Sequence, residues 1–156
     1  MSGMPLPGAI HGLNENSELE IKSILLLDDD YELSDALKLL LESRNFMVTA
    51  VSDGAEGLRE VLKIDFDVII CDLLMPTIPG DMFYLAVKKL KPALADRFLF
   101  ITGHAGNPKV EGFLESIDAL VIHKPVLIDE LINMISLVLR NAQPPAATLH
   151  RPGGER

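Results

Sequence analysis

Four apolar runs in this sequence end in polar residues whose chemistry is complementary. The runs are followed in turn by an acidic triplet, a single acid, a hydroxyl and an amine: Asp28-Asp29-Asp30, Asp72, Thr102 and Lys124. Because the carboxyl ends of parallel strands meet at one edge of an open α/β sheet, where ligands bind, these side chains are expected to converge. Together they could bind a divalent cation and a phosphoryl group.

The chemistry of such a site follows from its charges. Carboxylates from two strands repel each other unless a cation lies between them. Mg²⁺ suits the position, since it binds one or two carboxylates together with phosphate oxygens and keeps several waters. A carboxylate can itself attack a phosphoryl group as a nucleophile. Lys124 would then supply positive charge to the phosphate oxygens, and Thr102 could donate a hydrogen bond to the same group.

The elements that must position these residues are short strands alternating with amphipathic helices. This alternation predicts parallel strands joined by crossover helices. Each predicted strand is rich in aliphatic or β-branched residues. We predict five of them, at Ser23 to Leu27, Phe46 to Val51, Asp67 to Cys71, Phe98 to Ile101 and Ala119 to Ile122.

The intervening helices show apolar residues at helical spacing, so that each can bury one stripe on the sheet. The second helix has a marked start, where Asp53 can cap the first turn and Glu56 can reach back as in a capping box. The last helix carries an apolar face from Ile128 to Leu139 and is expected to close the domain near Arg140.

Length and composition favour a single domain with flexible ends. The 156 residues, 48% of them hydrophobic, suffice for one ordinary domain. We predict that it covers 21–141, between flexible tails at 1–20 and 142–156 that lack a hydrophobic period. The apolar runs are far shorter than the roughly 20 residues of a membrane helix, and the first residues lack the pattern of a secretory signal. A cytoplasmic protein without membrane contact is therefore expected.

Charge and cysteine content exclude several classes of function. The chain has 23 acidic and 14 basic residues, and its net charge of -9 repels the phosphate backbone of nucleic acids. Direct binding to nucleic acid is disfavoured. Cys71 is the only cysteine, which excludes an internal disulfide and a cysteine-based metal cluster.

Four segments of the sequence resemble the signature segments of a known family. The segments ILLLDDD, DVIICDLLMPTIPG, FLFITGHA and HKP occur in the order of the signature segments of response-regulator receivers. The sequence resembles that family over about residues 21 to 141. The resemblance implies a flavodoxin-like (βα)5 three-layer sandwich, with a parallel five-stranded sheet in the order 2-1-3-4-5. It also implies Mg²⁺-dependent phosphoryl transfer from a phosphohistidine donor, which switches protein contacts or passes the phosphate on.

The resemblance assigns roles by position in these motifs. Asp72 corresponds to the phospho-acceptor, and Asp29 to the principal metal ligand with Asp28 beside it. Leu74 corresponds to the residue that lends a backbone carbonyl to the metal. Thr102 corresponds to the switch hydroxyl, and Lys124 to the lysine that precedes a cis proline, here Pro125. Asp30 is expected to cap a helix instead.

The resemblance also implies partners. The donor would be a sensor histidine kinase or a histidine phosphotransfer protein, and the output would be contact with a downstream protein target. The chain would be a switch, and its only catalysis would be its own phosphorylation and slow dephosphorylation. A monomer or a weak homodimer is expected. The stretch GFLESIDALVIHKP resembles receivers attached to hybrid histidine kinases, so both a stand-alone and a hybrid-kinase origin stay open.

The sequence departs from the family pattern at two positions. Many receivers place Tyr or Phe three residues before the lysine, whereas this chain has Val121. An aromatic rotamer at that position therefore cannot report phosphorylation. Gly103 follows Thr102 where many relatives carry Ala, which affects access to the phosphorylated site.

Two other functions compete with the receiver hypothesis. A phosphatase of the haloacid dehalogenase type also uses a strand-end aspartate, a hydroxyl, a lysine and Mg²⁺, and Asp28 and Asp30 have its D-x-D spacing. However, Glu32 stands where that family usually has Thr or Val. A receiver-shaped scaffold that is never phosphorylated is the second alternative, although it would not need the acids, Thr102 and Lys124 together.

Overall fold

The fold alternates strands and helices along the chain. The computed structural model describes residues 20–103 and 106–142, and most of both predicted tails lies outside these ranges. The described strands are β1 (Ser23–Leu27), β2 (Met47–Val51), β3 (Val68–Asp72), β4 (Phe98–Thr102) and β5 (Leu120–His123). The α-helices are α1 (Tyr31–Glu42), α2 (Gly54–Lys63), α3 (Gly80–Leu90), α4 (Pro108–Ser116) and α5 (Ile128–Asn141), and a 3-10 helix spans Pro92–Arg97.

The strands form one parallel sheet in the order β2-β1-β3-β4-β5. This order confirms the predicted flavodoxin-like fold. Since β1 and β3 are neighbours in the middle of the sheet, their carboxyl ends lie side by side, with those of β4 and β5 next along the same edge. The topology thus brings the predicted site residues to one edge.

Helices cover both faces of the sheet, and the two faces have different cores. Successive residues of β1 alternate between them: Leu25 and Leu27 face one layer, Ile24 and Leu26 the other. We call the face covered by α2, α3 and α4 the aromatic face, because it contains buried Phe66, Phe83, Tyr84, Phe98 and Phe100. On the aliphatic face, covered by α1 and α5, the described buried hydrophobic residues are all Ile, Leu or Val.

The rings of the aromatic face contact one another mostly edge to face, a favoured arrangement for aromatic pairs. Tyr84 on α3 packs with its ring centroid 4.9 Å from Phe98 and 5.9 Å from Phe100. Phe113 on α4 lies 5.7 Å from both Tyr84 and Phe100. This chain of rings connects β4 to α3 and α4.

Helix starts follow the predicted caps, with one change at α2. Asp30 caps α1 by accepting from the Leu33 amide, as expected. Asp53 caps α2 and accepts from the Glu56 amide at 2.8 Å. The Glu56 carboxylate reaches back one residue beyond the cap, to the Ser52 amide at 3.1 Å. The reciprocal cap therefore also fixes the end of the loop that follows β2.

Strand boundaries differ from the predictions by one residue in several places. β1 is confirmed from Ser23 to Leu27, whereas β3 and β4 run one residue further, to Asp72 and Thr102. The parallel pairing continues through these polar residues, with Asp72 opposite Ile101 in the sheet register. Asp67 directly precedes β3, and its carboxylate accepts the Ser23 amide at 2.8 Å.

No helix in the described part of the chain combines the length and the apolar composition needed to cross a bilayer.

Candidate functional site

The predicted site residues lie at the carboxyl edge of the sheet, and three of them are buried. Asp28 directly follows β1, Asp72 ends β3, and Thr102 ends β4; their exposed fractions are 2%, 5% and 1%. Lys124 follows β5, and its backbone amide donates to the Thr102 carbonyl at 2.8 Å. Each side chain is held by a strand end, so its position depends on the sheet and not on a loop.

Lys124 bridges two of the acids. Its Nζ lies 3.3 Å from Asp72 Oδ2 and 3.4 Å from Asp28 Oδ2. The contact joins residues from three strands that are distant in sequence. The peptide bond between Lys124 and Pro125 is cis, as the family resemblance implied.

Three carboxylates form what we call the acid edge: Asp28, Asp29 and Asp72. Each offers one oxygen, and these oxygens all lie within 4.8 Å of one another. Asp30, the next residue in the acidic run, is exposed and instead caps α1. The D-x-D arrangement of a haloacid dehalogenase is therefore not formed, since its second acid serves the helix.

The acid edge fits a hard divalent cation. Asp28 Oδ1 accepts the Asp30 amide at 2.9 Å, whereas its buried Oδ2 accepts no hydrogen bond and has only the longer ion pair with Lys124. A buried carboxylate oxygen without a hydrogen bond is unfavourable unless another group satisfies it. The exposed Asp29 leaves the cluster open to solvent. Hard oxygen ligands with one open side suit Mg²⁺.

The electrostatics of the acid edge are unbalanced in the absence of a cation. Burial, and next the nearby charge of Asp28, raise the pKa of Asp72, although Lys124 and the Leu74 amide oppose the shift. Burial lowers the pKa of Lys124, but the charges of Asp72 and Asp28 outweigh it, so that its pKa is raised overall. One amine thus stays protonated between two acids, and it does not fully offset their repulsion.

The loop after Asp72 is tightly folded against the site. The Leu74 amide donates to Asp72 Oδ1 at 3.2 Å. Gly80 begins α3, where a Cβ would meet the Asp72 carbonyl oxygen at 2.5 Å and Leu73 Cα at 2.7 Å. Thr77 has a φ of 70°, and a three-residue turn around it is closed by a hydrogen bond from the Ile78 amide to the Pro76 carbonyl. Such a φ is strained for a β-branched residue.

The structure shows the surroundings of Val121 and Gly103, the two positions at which the sequence departs from the family pattern. Val121 lies on β5 opposite Phe100 and packs against the aromatic face. Phe100, Tyr84 and Phe113 supply the aromatic packing from neighbouring elements. A Cβ on Gly103 would lie 3.5 Å from Lys124 Cδ, which is ordinary van der Waals contact. An alanine would therefore fit there.

Cys71 precedes Asp72 and is fully buried. Its thiol contacts the Asp72 carbonyl, with an Sγ to O distance of 3.3 Å. Burial first, and then the charge of Asp72, raise the pKa of the Cys71 thiol well above its usual value. The thiol is therefore protonated and unreactive in the folded protein.

Sequence reasoning did not identify the ring cluster that connects β4 with α3 and α4, nor the strained φ of Thr77. The phenylalanines of β4 alternate with aliphatic residues and thus signal a strand, but the sequence does not specify which helical rings meet them. The low preference of threonine for positive φ gives no hint of the turn. The motif positions, in contrast, all lie at the predicted edge.

Comparison with known proteins agrees with this geometry. The family model described as the response regulator receiver domain matches residues 24–136. The transcriptional regulatory protein GlrR of Escherichia coli is 30% identical over 121 residues, which are 78% of this chain and 27% of GlrR. The response regulator ArlR of Staphylococcus aureus is 31% identical over 118 residues, 75% of this chain and 52% of ArlR. The chain thus spans about a quarter to a half of these relatives.

Solved structures show the same architecture. A CheY-like receiver domain protein from Methanospirillum hungatei superimposes with a TM-score of 0.72 and 27% identity, covering 79% of this chain and 97% of that one. The response regulator TrrA from Thermotoga maritima, in complex with Mg²⁺ and BeF, gives a TM-score of 0.66 and 25% identity, covering 76% of this chain and all of that one. These matches each cover about three quarters of this chain.

Proposed function

The chain belongs to the response regulator receiver domain family, and on that premise we propose that Asp72 accepts a phosphoryl group from a phosphohistidine donor. The observation that carries the proposal is the convergence of the Asp28 and Asp72 carboxylates on Lys124 Nζ, at 3.4 and 3.3 Å. A structural ion pair would need only one acid. Two buried acids around one amine, with a third acid at the solvent side, are suited to phosphoryl chemistry.

In the proposed step a carboxylate oxygen of Asp72 attacks the phosphorus atom. The new P–O bond forms as the P–N bond to the donor imidazole breaks, and the electron pair of the broken bond stays on the imidazole nitrogen. Lys124 holds the phosphate oxygens through its positive charge, since its Nζ already lies beside Asp72. The hydroxyl of Thr102, at the end of the adjacent strand, donates to the same group.

The acid edge and the carbonyl of Leu74 would hold Mg²⁺, as the family pattern implies. When bound, the ion supplies positive charge against the acids and the phosphate oxygens. In this arrangement the role of Asp28 and Asp29 is to bind the metal ion. Asp72 is both a ligand and the nucleophile.

We propose further that the chain is a switch and not a turnover enzyme, with its only catalysis directed at its own phosphorylation and slow dephosphorylation. Its donor would be a sensor histidine kinase or a histidine phosphotransfer protein, and its output a protein target in the cytoplasm. The net charge of -9 supports a protein target over nucleic acid. The receiver domain would cover 21–141.

The test is incubation of the protein with Mg²⁺ and acetyl phosphate, followed by intact-mass measurement. We expect one added phosphoryl group on the wild type and none on Asp72→Asn. Asp30→Asn is the matched control, because Asp30 lies in the neighbouring acidic run but serves only as a helix cap. It should be modified like the wild type.

Three results would contradict the proposal. If neither the wild type nor Asp72→Asn gains a phosphoryl group, and the wild type does not bind beryllofluoride, the scaffold alternative would be favoured. An adduct that persists in Asp72→Asn would mean that another carboxylate is the acceptor. Steady turnover of a phosphate monoester that depends on Asp28 and not on Asp72 would restore the phosphatase alternative.

A further inference from the structure

An apolar groove lies between α3 and α4, beside the loop that follows Asp72. It encloses a cavity of about 190 Å³, and its lining includes Leu73, Leu74, Met82, Val110 and Phe113. Sites for small molecules and cofactors are typically larger, about 300 to 1,000 Å³. The cavity therefore matches one large apolar side chain better than a small-molecule ligand.

Large apolar side chains are exposed in the groove and next to it on α3. Met82 and Leu85 occur three residues apart on α3 and are 57% and 54% exposed, and Leu74 at the mouth of the cavity is also exposed. Residues three apart on a helix are neighbours on its surface. A contiguous exposed apolar surface beside a cavity is typical of a protein interaction site.

Three lysines lie on or near this apolar surface in a protein that is acidic as a whole, and the acid in the groove lining, Asp81, already accepts the Met82 amide through its Oδ1. Lys109 lines the groove on α4, and Lys89 continues the α3 stripe of Met82 and Leu85 at helical spacing. Lys88 precedes it. Within the described residues, none of these three lysines forms an ion pair. Their charges are thus available to an acidic partner.

Gly112 in the middle of α4 gives an independent indication. A Cβ at this position would meet nothing within 4 Å, so packing does not require glycine there. Glycine weakens a helix relative to alanine. By helical spacing Gly112 lies on the same side of α4 as Lys109 and Phe113. A bare backbone at this point leaves room for the close approach of another chain.

We propose that the α3–α4 groove docks an amphipathic helix of a partner protein. One large apolar side chain of that helix fills the cavity, and its acidic residues face Lys89 and Lys109. The absence of a side chain at Gly112 lets the helix lie close to α4. This is the helix-in-groove mode of recognition, with the charge pattern of the groove selecting an acidic helix.

The groove is also coupled to the phosphorylation site, a part of the proposal that rests on the proposed function. Leu74 lines the groove with its side chain and donates its amide to Asp72 Oδ1 at 3.2 Å. A phosphoryl group on that carboxylate changes the acceptor of this hydrogen bond. The affinity of the docked helix therefore changes when Asp72 is modified.

The test uses two synthetic helical peptides of about 16 residues, roughly four turns each. Both carry the same leucine stripe, one flanked by glutamates and the other by lysines, and binding to the full chain is followed by fluorescence anisotropy. The glutamate peptide should bind. Met82→Gln and Lys109→Glu should each weaken its binding about tenfold, the scale of an interface hot spot. Leu39→Gln is the matched control, since Leu39 is 70% exposed on α1, away from the groove, and should leave binding unchanged.

Gly112→Ala separates docking from a structural role of the glycine. The variant should unfold at a higher denaturant concentration than the wild type, because alanine favours the helix, and yet bind the glutamate peptide more weakly. Unchanged peptide binding by this variant would contradict the close approach to α4. Since the variant is expected to be more stable, misfolding cannot account for the expected loss.

Other outcomes would overturn the proposal or one part of it. Equal binding of both peptides, or no binding of the glutamate peptide, would refute the acidic helix as the occupant. Sedimentation showing a dimer that Met82→Gln dissociates would assign the groove to a second copy of the chain.

The coupling has a test of its own, in which beryllofluoride with Mg²⁺ should change the affinity of the protein for the glutamate peptide. If this affinity is unchanged in protein that acetyl phosphate does modify, the coupling alone is refuted. A wild type that acetyl phosphate never modifies would instead refute the proposed function, while peptide binding would still test the groove.

Discussion

Two adjoining regions of this molecule, the aromatic face and the acid edge, contribute to the folded state in opposite ways. On the aromatic face, ring centroids lie 4.9 to 5.9 Å apart, and the contacts stabilise the folded chain. At the acid edge, Asp28 and Asp72 are buried close to each other, and the pKa of Asp72 is raised as a result of burial and that repulsion. Stability therefore comes from the first region and reactivity from the second. Substitutions in the two regions should change stability with opposite signs.

The largest loss of stability is expected from a substitution within the aromatic face. Phe100→Ala removes the ring that contacts Tyr84, Phe98 and Phe113, and should lower the free energy of unfolding by about 3–5 kcal/mol. Urea unfolding followed by circular dichroism measures it. Leu99→Ala, the next residue on β4 but on the aliphatic face, should lose about 2–5 kcal/mol. A loss below about 1 kcal/mol for Phe100→Ala would mean that the rings are not a packed core.

The next effect is expected where the two regions meet. Gly80→Ala would place a Cβ 2.5 Å from the Asp72 carbonyl oxygen and 2.7 Å from Leu73 Cα, and backbone atoms cannot rotate away. We expect a loss of about 1–3 kcal/mol, typical of overpacking, together with slower phosphorylation by acetyl phosphate. Gly112→Ala is the control, since its Cβ meets no atom within 4 Å. A Gly80→Ala protein as stable and as reactive as the wild type would contradict this close approach.

At the acid edge the sign should reverse. Asp72→Asn removes a buried charge that Asp28 repels, so the metal-free variant should be more stable than the wild type at neutral pH while accepting no phosphoryl group. Because the folded pKa of Asp72 lies above its value in the unfolded chain, its contribution to stability is fully present below the unfolded pKa. It is lost as pH rises through the folded pKa.

The pH dependence provides the check on this sign. Thermal unfolding of the metal-free proteins across the acidic range should show the advantage of Asp72→Asn shrinking as pH falls. Mg²⁺ should stabilise the wild type and have less effect on the variant, since one ligand has lost its charge. An Asn variant that is less stable than the wild type at neutral pH would show that the Lys124 contact outweighs the repulsion.

The smallest effect is expected in the loop between the two regions. Thr77→Gly relieves about 1–2 kcal/mol of left-handed strain. Glycine has more conformational freedom than threonine in the unfolded chain, and losing this freedom on folding costs about 0.5–1 kcal/mol. The net gain should therefore lie within about 0–1.5 kcal/mol and be seen as a higher urea midpoint. A destabilised variant would indicate that the threonine side chain makes a contact that outweighs the strain.

The sequence predicted the acid edge better than the aromatic face, for a physical reason. Asp28, Asp72, Thr102 and Lys124 are placed by strand ends, and a parallel sheet brings strand ends together whatever the details of packing. The alternation of strands and helices was sufficient to predict that edge. The extra residue of β3 and β4 was missed because polar side chains resemble loop residues, although the backbone pairing continues through them.

The aromatic face and the groove depend on contacts that no local pattern encodes. Tyr84 and Phe113 are spaced as ordinary helical core residues, and their edge-to-face contacts with Phe100 result from the way α3 and α4 pack on the sheet. The α3–α4 groove likewise exists only because two helices distant in sequence lie side by side. Roles for individual site residues came from the family resemblance, and they stay predictions until phosphorylation is measured.

The burial of Cys71 makes it an internal probe. It is the only sulfhydryl in the sequence, lies in the central strand and directly precedes the proposed acceptor. A thiol reagent can modify it only during transient opening of the middle of the sheet, so the labelling rate measures how often that opening occurs. Comparing the labelling rates with and without beryllofluoride would then show whether occupancy of the acceptor site changes how often the sheet opens there. No dye has to be attached in advance.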